Sequence, residues 1–311
     1  DGLADIVALD MLPKDNERKK QLAPPNSYQT YQNSDLYGYT YQYMRNSLQL
    51  NAGKKADGSP IPFQEVSLFA GMAETEWSWC PSLADFDNDG FRDLMITNGF
   101  PRDVTDRDFM LYRANSARLA SDAILLEQMP VIKVNNYAFR NKGGMHFDDV
   151  SAAWGIQRPS FSNGASYGDL DNDGDLDLFI AGRIIPGKYP LSPGSRLLVN
   201  NGKGFFTDQT LQLAPIFLSL GMVTDAIWAD IDGDRINELI VCGEWMPIQC
   251  FSFQQNVFTD QTDHFFDKKL NGLWNRLHIV DIDRDGDLDL IAGNWGTNSQ
   301  LKATAAEPAT M

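Results

Sequence analysis

The sequence predicts an all-β fold, a β-propeller of four-stranded blades, and two repeated phrases predict it. A nine-residue acidic loop followed by a short apolar run recurs along the 311 residues, and a phenylalanine phrase recurs in step with it. A unit of roughly 40–50 residues holding about four short strands is the pattern of a propeller blade. The shortest interval between acidic loops, 51 residues from Asp230 to Asp281, agrees.

The chain opens inside one copy, because Asp1-Gly2-Leu3-Ala4-Asp5 matches the last five loop positions and Ile6-Val7 the strand after them. Residues 12–44 then form a polar insertion with six of the ten tyrosines: Tyr28, Tyr31, Tyr37, Tyr39, Tyr41 and Tyr43. It reads as a segment packing on its own scaffold. The first complete loop carries Asp85, Asp87, Asp89, Gly90, Phe91 and Asp93, and Leu94-Met95-Ile96 follow it. A second insertion, 101–135, predicts a helix over about 106–128, capped by Thr105, with Phe109, Tyr112, Leu119 and Ile124–Leu126 as its apolar side and Pro130 past its end. The second loop carries Asp169, Asp171, Asp173, Gly174, Asp175 and Asp177. The third is degenerate, with Asp230, Asp232, Asp234, Arg235, Ile236 and Glu238. The fourth carries Asp281, Asp283, Asp285, Gly286, Asp287 and Asp289.

The companion phrase runs from Phe63 to Ser67, Phe147 to Ser151, Phe206 to Thr210 and Phe258 to Thr262. From each Phe to the next acidic loop the distance is 22, 22, 24 and 23 residues; from each loop to the next Phe it is 62, 37 and 28. Insertions thus fall on one connection only, and both should emerge on the same side of the domain. Gly143-Gly144 and Asn201-Gly202 mark turns, with 136–140 and 195–200 as the strands entering them. An α/β fold is excluded, since the segments between acidic loops lack a helical period. The organisation expected is a single domain over 1–311 with five visible blade units.

Carboxylates at loop positions 1, 3, 5 and 9 with Gly at 6 point to a hard cation, because alternate residues of a curled loop face inward and like charges crowd without one. Calcium takes 6–8 oxygens, so four side chains, the position-7 carbonyl of Phe91, Asp175, Ile236 or Asp287, and water fill its shell. Magnesium prefers fewer protein ligands and stricter octahedral geometry. An EF-hand is excluded: its position-12 Glu falls on Ile96, Ile180 and Ala292. Three loops read as complete sites. The third has Arg235 where the turn wants Gly and Glu238 one methylene longer than Asp, and is expected to bind weakly or be held by contacts in place of metal.

The chain has 42 Asp+Glu against 26 Lys+Arg, a net charge of −16. The loops and the N-terminal remnant hold 20 of those 42, so the excess is largely the ligand set itself. No basic stripe is present, which disfavours nucleic acid. No apolar run is long enough for a membrane-spanning helix. Gly164-Ala165-Ser166-Tyr167-Gly168 matches a nucleophile elbow, yet it runs into an acidic loop and not into a helix. His146, His264 and His278 carry no local mark of a base. Cys242 and Cys250 should face each other across a hairpin centred near Met246, as buried thiols in preference to a disulfide, with Cys80 free. Trp77 and Trp79 read as blade core.

The phrase DxDxDGxxDL before a short apolar strand resembles the FG-GAP/VCBS repeat of integrin-α-type propellers. The wider string, including Glu76-Trp77-Ser78-Trp79 and 45–51 (RNSLQLN), is similar to bacterial FG-GAP/VCBS proteins of the ASPIC/UnbV-associated kind, typical of Bacteroidetes. The resemblance covers nearly the whole chain and implies a secreted or cell-surface protein, attached to the outer membrane of a bacterium, with Ca2+ at the blade loops. It implies no catalytic role for the repeats. Such propellers have about seven blades, so the five units, incomplete at both ends, are expected to be a piece of one. The function expected is non-catalytic: a calcium-binding adhesion module presenting its insertions to a protein or glycan. The alternative is a calcium-dependent, lyase-like enzyme acting on polysaccharides, for which no basic cluster to hold uronates stands out.

Overall fold

Each complete acidic loop joins two antiparallel strands, and this strand–loop–strand pair is the recurring unit of the chain. The computed structural model describes residues 2–22, 28–100, 102–116, 121–171, 173–185, 188–268 and 271–296; it is mostly β-sheet with a few short helices. The strands are β1 (Ile6–Ala8), β2 (Met11–Leu12), β3 (Ser47–Leu50), β4 (Gln64–Glu65), β5 (Glu76–Ala84), β6 (Asp93–Asn98), β7 (Tyr137–Asn141), β8 (Phe147–Asp149) and β9 (Ser162–Gly168). They continue with β10 (Asp177–Gly182), β11 (Arg196–Val199), β12 (Thr207–Asp208), β13 (Met222–Ala229), β14 (Glu238–Met246), β15 (Gln249–Gln254), β16 (Val257–Asp260), β17 (Gly272–Val280) and β18 (Asp289–Asn294). Backbone contacts divide the chain into two compact units, Asp1–Asp85 with Asp89–Phe161, and Phe86–Asn88 with Ser162–Met311.

In the first unit β1, β3 and β4 form one antiparallel sheet, and β2, β5, β6, β7 and β8 form another in that order. Leu48, Met72, Leu94, Ile96 and Phe139 pack together as its core. In the second unit β9 to β12 form a four-stranded meander, and β13 to β16 form another. The β17–β18 hairpin joins the latter through β14, at Glu244 and Met246.

The apolar run after the first three complete loops is continuous because its strand is covered on both faces, whereas β18 after the fourth leaves Ile291 exposed. Successive side chains of a strand point to opposite sides. Along β14, Leu239 and Val241 enter one core with Phe179, Phe217 and Phe251, while Ile240 and Cys242 enter a second with Cys250 and Leu277. Phe217 holds the first of these together, meeting Phe179 and Phe251 edge-on at 5.3 and 5.4 Å between ring centres.

The phenylalanine phrase has a physical explanation at the ends of β8, β12 and β16. Thr210 donates its N–H and its hydroxyl to Asp208, at 3.1 and 2.6 Å, and its hydroxyl oxygen accepts the Leu197 N–H of β11 at 2.9 Å. Ser151 does the same with Asp149 and the Ala138 N–H. Thr262 takes its N–H to Asp260 and accepts from Cys250. An Asp two residues before a Ser or Thr therefore turns the chain and locks the outer strand pair.

The two insertions meet in the first unit, as their shared place in the repeat implies. Arg18 donates to Glu76 and to the buried Asp103, and Leu22 bridges Asp106. Burial raises the Glu76 carboxyl above its ordinary range, with Arg18 opposing.

Several expectations are corrected. The helix foreseen over 106–128 is two helices, Arg107–Ser116 and Asp122–Glu127, because Ser121 is extended at φ −71°, ψ 155°. Asp106, and not Thr105, caps the first by accepting the Phe109 N–H; Thr105 turns its N–H and hydroxyl to Asp103. Of the foreseen apolar side, Phe109 and Leu125 are buried, Tyr112, Ile124 and Leu126 are exposed, and Leu119 lies outside the described residues. The insertion packs on its scaffold through its first part, where Leu22 is buried, and not through its tyrosine-bearing part, whose helix, Tyr28–Tyr37, buries no residue. The physical reason is composition, since Leu36 is the sole aliphatic residue in 28–43 and is itself exposed. Trp77 is buried, but an extra residue in β5 between Ser78 and Pro81 shifts the register and leaves Trp79 outward, 37% exposed. Cys250 pairs with Ile240 and not with Cys242, because the hairpin centres one residue earlier than foreseen, at Trp245. The three cysteines form no disulfide, and Cys242 and Cys250 are buried. Ser166 sits within β9 opposite Phe179, so the elbow-like string is plain strand.

Candidate metal centres

The position-1 carboxylate of every complete loop folds the loop around itself. Asp85 accepts the N–H groups of Asp89 and Gly90 at 3.0 and 2.9 Å, and Asp169 those of Asp173 and Gly174, each at 3.1 Å. Asp230 accepts from Gly233 and Arg235 at 2.7 and 2.8 Å, and Asp281 from Arg284 and Gly286 at 2.6 and 3.2 Å. Position 5 then accepts the position-7 N–H in all four loops: Phe91 to Asp89, Asp175 to Asp173, Ile236 to Asp234 and Asp287 to Asp285. Position 6 needs a left-handed backbone, and Gly90, Gly174 and Gly286 supply it at φ 91°, 92° and 99°.

The position-9 carboxylate is the one that the sheet holds. Asp93, Asp177 and Glu238 are buried at the start of β6, β10 and β14, while Asp289 is half-buried. Asp177 accepts the Leu170 N–H at 3.0 Å; Glu238 and Asp289 accept the equivalent N–H of Ile231 and Ile282.

Three asparagines that sequence reading took no account of complete this end of the loop. Asn200 gives its N–H to Asp177 at 2.8 Å and its side-chain amide to the carbonyl of Leu176 at 3.0 Å. Asn141 repeats both contacts with Asp93 and Arg92, and Asn51 repeats them with Asp5 and Ala4. Asn51, Asn141 and Asn200 stand at the ends of β3, β7 and β11, and each is followed two residues on by a left-handed glycine, Gly53, Gly143 or Gly202. The N-x-G string was visible in the sequence, though only as a turn. The Asn51 contacts, with Gly2 at φ 82°, place the N-terminal segment as the tail of a fifth loop.

The carboxylates converge in two patterns. Oxygens of Asp85, Asp87 and Asp93, and of Asp169, Asp171 and Asp177, lie within 4.8 Å of one another; in the other loops the trios are Asp230, Asp232, Asp234 and Asp281, Asp283, Asp285. Asp89 is drawn aside by Arg140, 3.1 Å away. The Asp175 carboxylate accepts the Asn88 amide at 2.6 Å, which leaves only its backbone for the position-7 role. Phe91, Ile236 and Asp287 are exposed at the same position.

Electrostatics make the second loop the most demanding. Burial pushes the Asp177 carboxyl up to about 7; the N–H bonds from Asn200 and Leu170 oppose the shift, and the charges of Asp171 and Asp173 add to it. Burial and the Asp173 charge also raise Asp171, whose Oδ1 is buried and accepts no hydrogen bond. A buried, unsatisfied carboxylate oxygen among like charges is costly unless a cation meets it. The donor set, all oxygen and mostly anionic, fits a hard divalent ion.

Residues 230–292 match the FG-GAP-like repeat family. The match is to that stretch and not to the whole chain. The matched stretch begins at Asp230, the first ligand position of the degenerate loop, and ends at Ala292 in β18, beyond the fourth loop. With a structure that is mostly β-sheet, the repeat points to a propeller-like fold. A search of curated proteins finds no match to the chain. Among the described residues, no helix is long and apolar enough to cross a membrane.

Proposed function

We propose that this chain is a non-catalytic calcium-binding module, a single FG-GAP/VCBS propeller domain over 1–311 assembled from four-stranded blades. Its two insertions are presented to a protein or glycan partner. Ca2+ occupies the complete loops through the position 1, 3, 5 and 9 carboxylates and the position-7 carbonyl, and the 230–238 loop binds more weakly. The module acts in adhesion, secreted or at a cell surface, and is of the ASPIC/UnbV-associated kind found on the outer membrane of Bacteroidetes.

One observation carries this reading. Four carboxylate trios, each drawn from one strand–loop–strand connection, occupy the same place in successive repeats. Carboxylates serving only as turn formers have no need to converge within a cation's coordination distance. The test is calorimetric titration of the metal-free chain with CaCl2, paired with thermal melts. Saturable binding and a raised melting temperature are expected, reversed by EGTA. The absence of both binding and stabilisation would sink the reading.

A further inference from the structure

Residues 28–43 hold six tyrosines and a single charged residue, Asp35, in a chain that is 22% charged. Tyr28, Tyr37, Tyr39, Tyr41 and Tyr43 are between 45% and 78% exposed. A contiguous set of exposed aromatic rings marks a contact surface and not a core. The rings are not scattered: Tyr31 lies 5.9 Å from Tyr41 and 6.4 Å from Tyr43, and Tyr37 lies 6.0 Å from Tyr39, centre to centre. Their charged neighbours are engaged, because Tyr41 donates its hydroxyl to Asp35 and the Arg45 guanidinium sits 5.0 Å above the Tyr43 ring.

An open cleft of about 440 Å³ lies among these rings, lined by Thr30, Tyr31, Ser34, Tyr39, Thr40, Tyr41 and Gln42. Its size is that of a small-molecule site. The lining holds no charge and no aliphatic side chain, only aromatic rings, hydroxyls and one amide. An anion would meet no cation there. A cation would find only a carboxylate already bonded to Tyr41. A protein anchor residue would want a desolvated apolar pocket. A neutral sugar matches each feature: its C–H face stacks on a tyrosine ring, and its hydroxyls exchange hydrogen bonds with hydroxyl and amide groups. Tyrosine also offers broad amphipathic area at low entropic cost.

We infer that this cleft binds a neutral oligosaccharide, with Tyr31, Tyr39 and Tyr41 as its stacking and hydrogen-bonding platform. The inference rests on the reading of the chain as a presenting module and names its ligand class. The test is calorimetric titration of the full chain with neutral gluco-, manno-, galacto- and xylo-oligosaccharides, with uronate oligomers as the charged counterparts. CaCl2 is titrated into the same preparations. Binding of at least one neutral sugar is expected, weakened tenfold or more by Tyr31→Ala and by Tyr41→Ala. Tyr39→Phe keeps the ring and should cost less than Tyr39→Ala. Circular dichroism of each variant should match the parent, since Tyr39 and Tyr41 are exposed and Tyr31 is only half-buried. Failure of every neutral sugar, binding of uronates alone, or sugar binding indifferent to the tyrosine substitutions would each overturn the cleft. Intact calcium binding beside such a failure would leave the module standing; sugar binding sensitive to the tyrosines but without calcium binding would keep the cleft and remove the metal.

Discussion

Arg235 adopts a backbone φ of 75° at the loop position where Gly174 adopts 92°. The left-handed region costs a residue with a Cβ roughly 1–2 kcal/mol, and the third loop bears that cost because Asp230 draws the Arg235 N–H to its carboxylate. Gly233 takes the left-handed turn at position 4, where the first and fourth loops place Asn88 and Arg284. Arg235→Gly should therefore stabilise the protein by about 1 kcal/mol, part of the relief being offset by the greater freedom of glycine in the unfolded chain. Urea denaturation reads the change; a loss of stability would mean that the loop does not need this conformation.

The second loop should couple calcium to protons. Asp177 is raised to about 7 by burial, well above an ordinary carboxylate. A raised native carboxyl holds its proton more tightly than the unfolded chain does. Its contribution to metal-free stability is thus complete below pH ~4 and is lost as pH rises through about 7. A cation reverses the balance by demanding the anion. Calcium titrations at pH 6 should release protons and show heats that depend on the buffer, and the dependence should vanish near pH 8.5. Buffer-independent heats at pH 6 would contradict a protonated Asp177.

Each site should be local. Asp173→Ala removes the carboxylate that accepts the Asp175 N–H and adds charge to the cluster. The stoichiometry of calcium binding should fall by one while the remaining sites keep their affinity. A general loss of binding would show instead that the loops fold as one unit.

Asn200 touches Asp177 only from behind, through its backbone N–H, while its side-chain amide holds the Leu176 carbonyl. Groups that orient metal ligands in this way are worth about 10–100-fold in affinity. Asn200→Ala should weaken calcium at the second loop by about tenfold or more and leave the fourth untouched. Equal weakening at both loops would make Asn200 a residue of general stability.

The thiols should separate by exposure. Cys242 and Cys250 are fully buried, and burial pushes Cys242 up to about 11 and Cys250 further in the same direction. At pH 8 a thiol reagent should label Cys80 in the native protein and all three cysteines in guanidinium, counted by mass spectrometry. Rapid native labelling of Cys250 would show that the β14–β15 pair opens.

Periodicity made the sheets legible from sequence alone. Asp-x-Asp-x-Asp-Gly at a constant distance from Phe-x-x-x-Ser or Thr is a local pattern, held by hydrogen bonds that reach no more than seven residues within the loop, as from Leu170 to Asp177. Such contacts are encoded where they occur, so the loop borders, the strands after them and the strained Arg235 could all be read residue by residue. Tertiary structure decided what depends on distant partners. Whether Asp89 faces its own loop or Arg140, whether Trp79 points in or out across a bulge, and whether Asn200 clasps Asp177 from a different strand are set by register and packing. The charge excess was plain in the composition. That it collapses into four trios, with one buried oxygen of Asp171 lacking any donor, follows only once the fold brings together positions 1, 3 and 9 in the first two loops and positions 1, 3 and 5 in the other two.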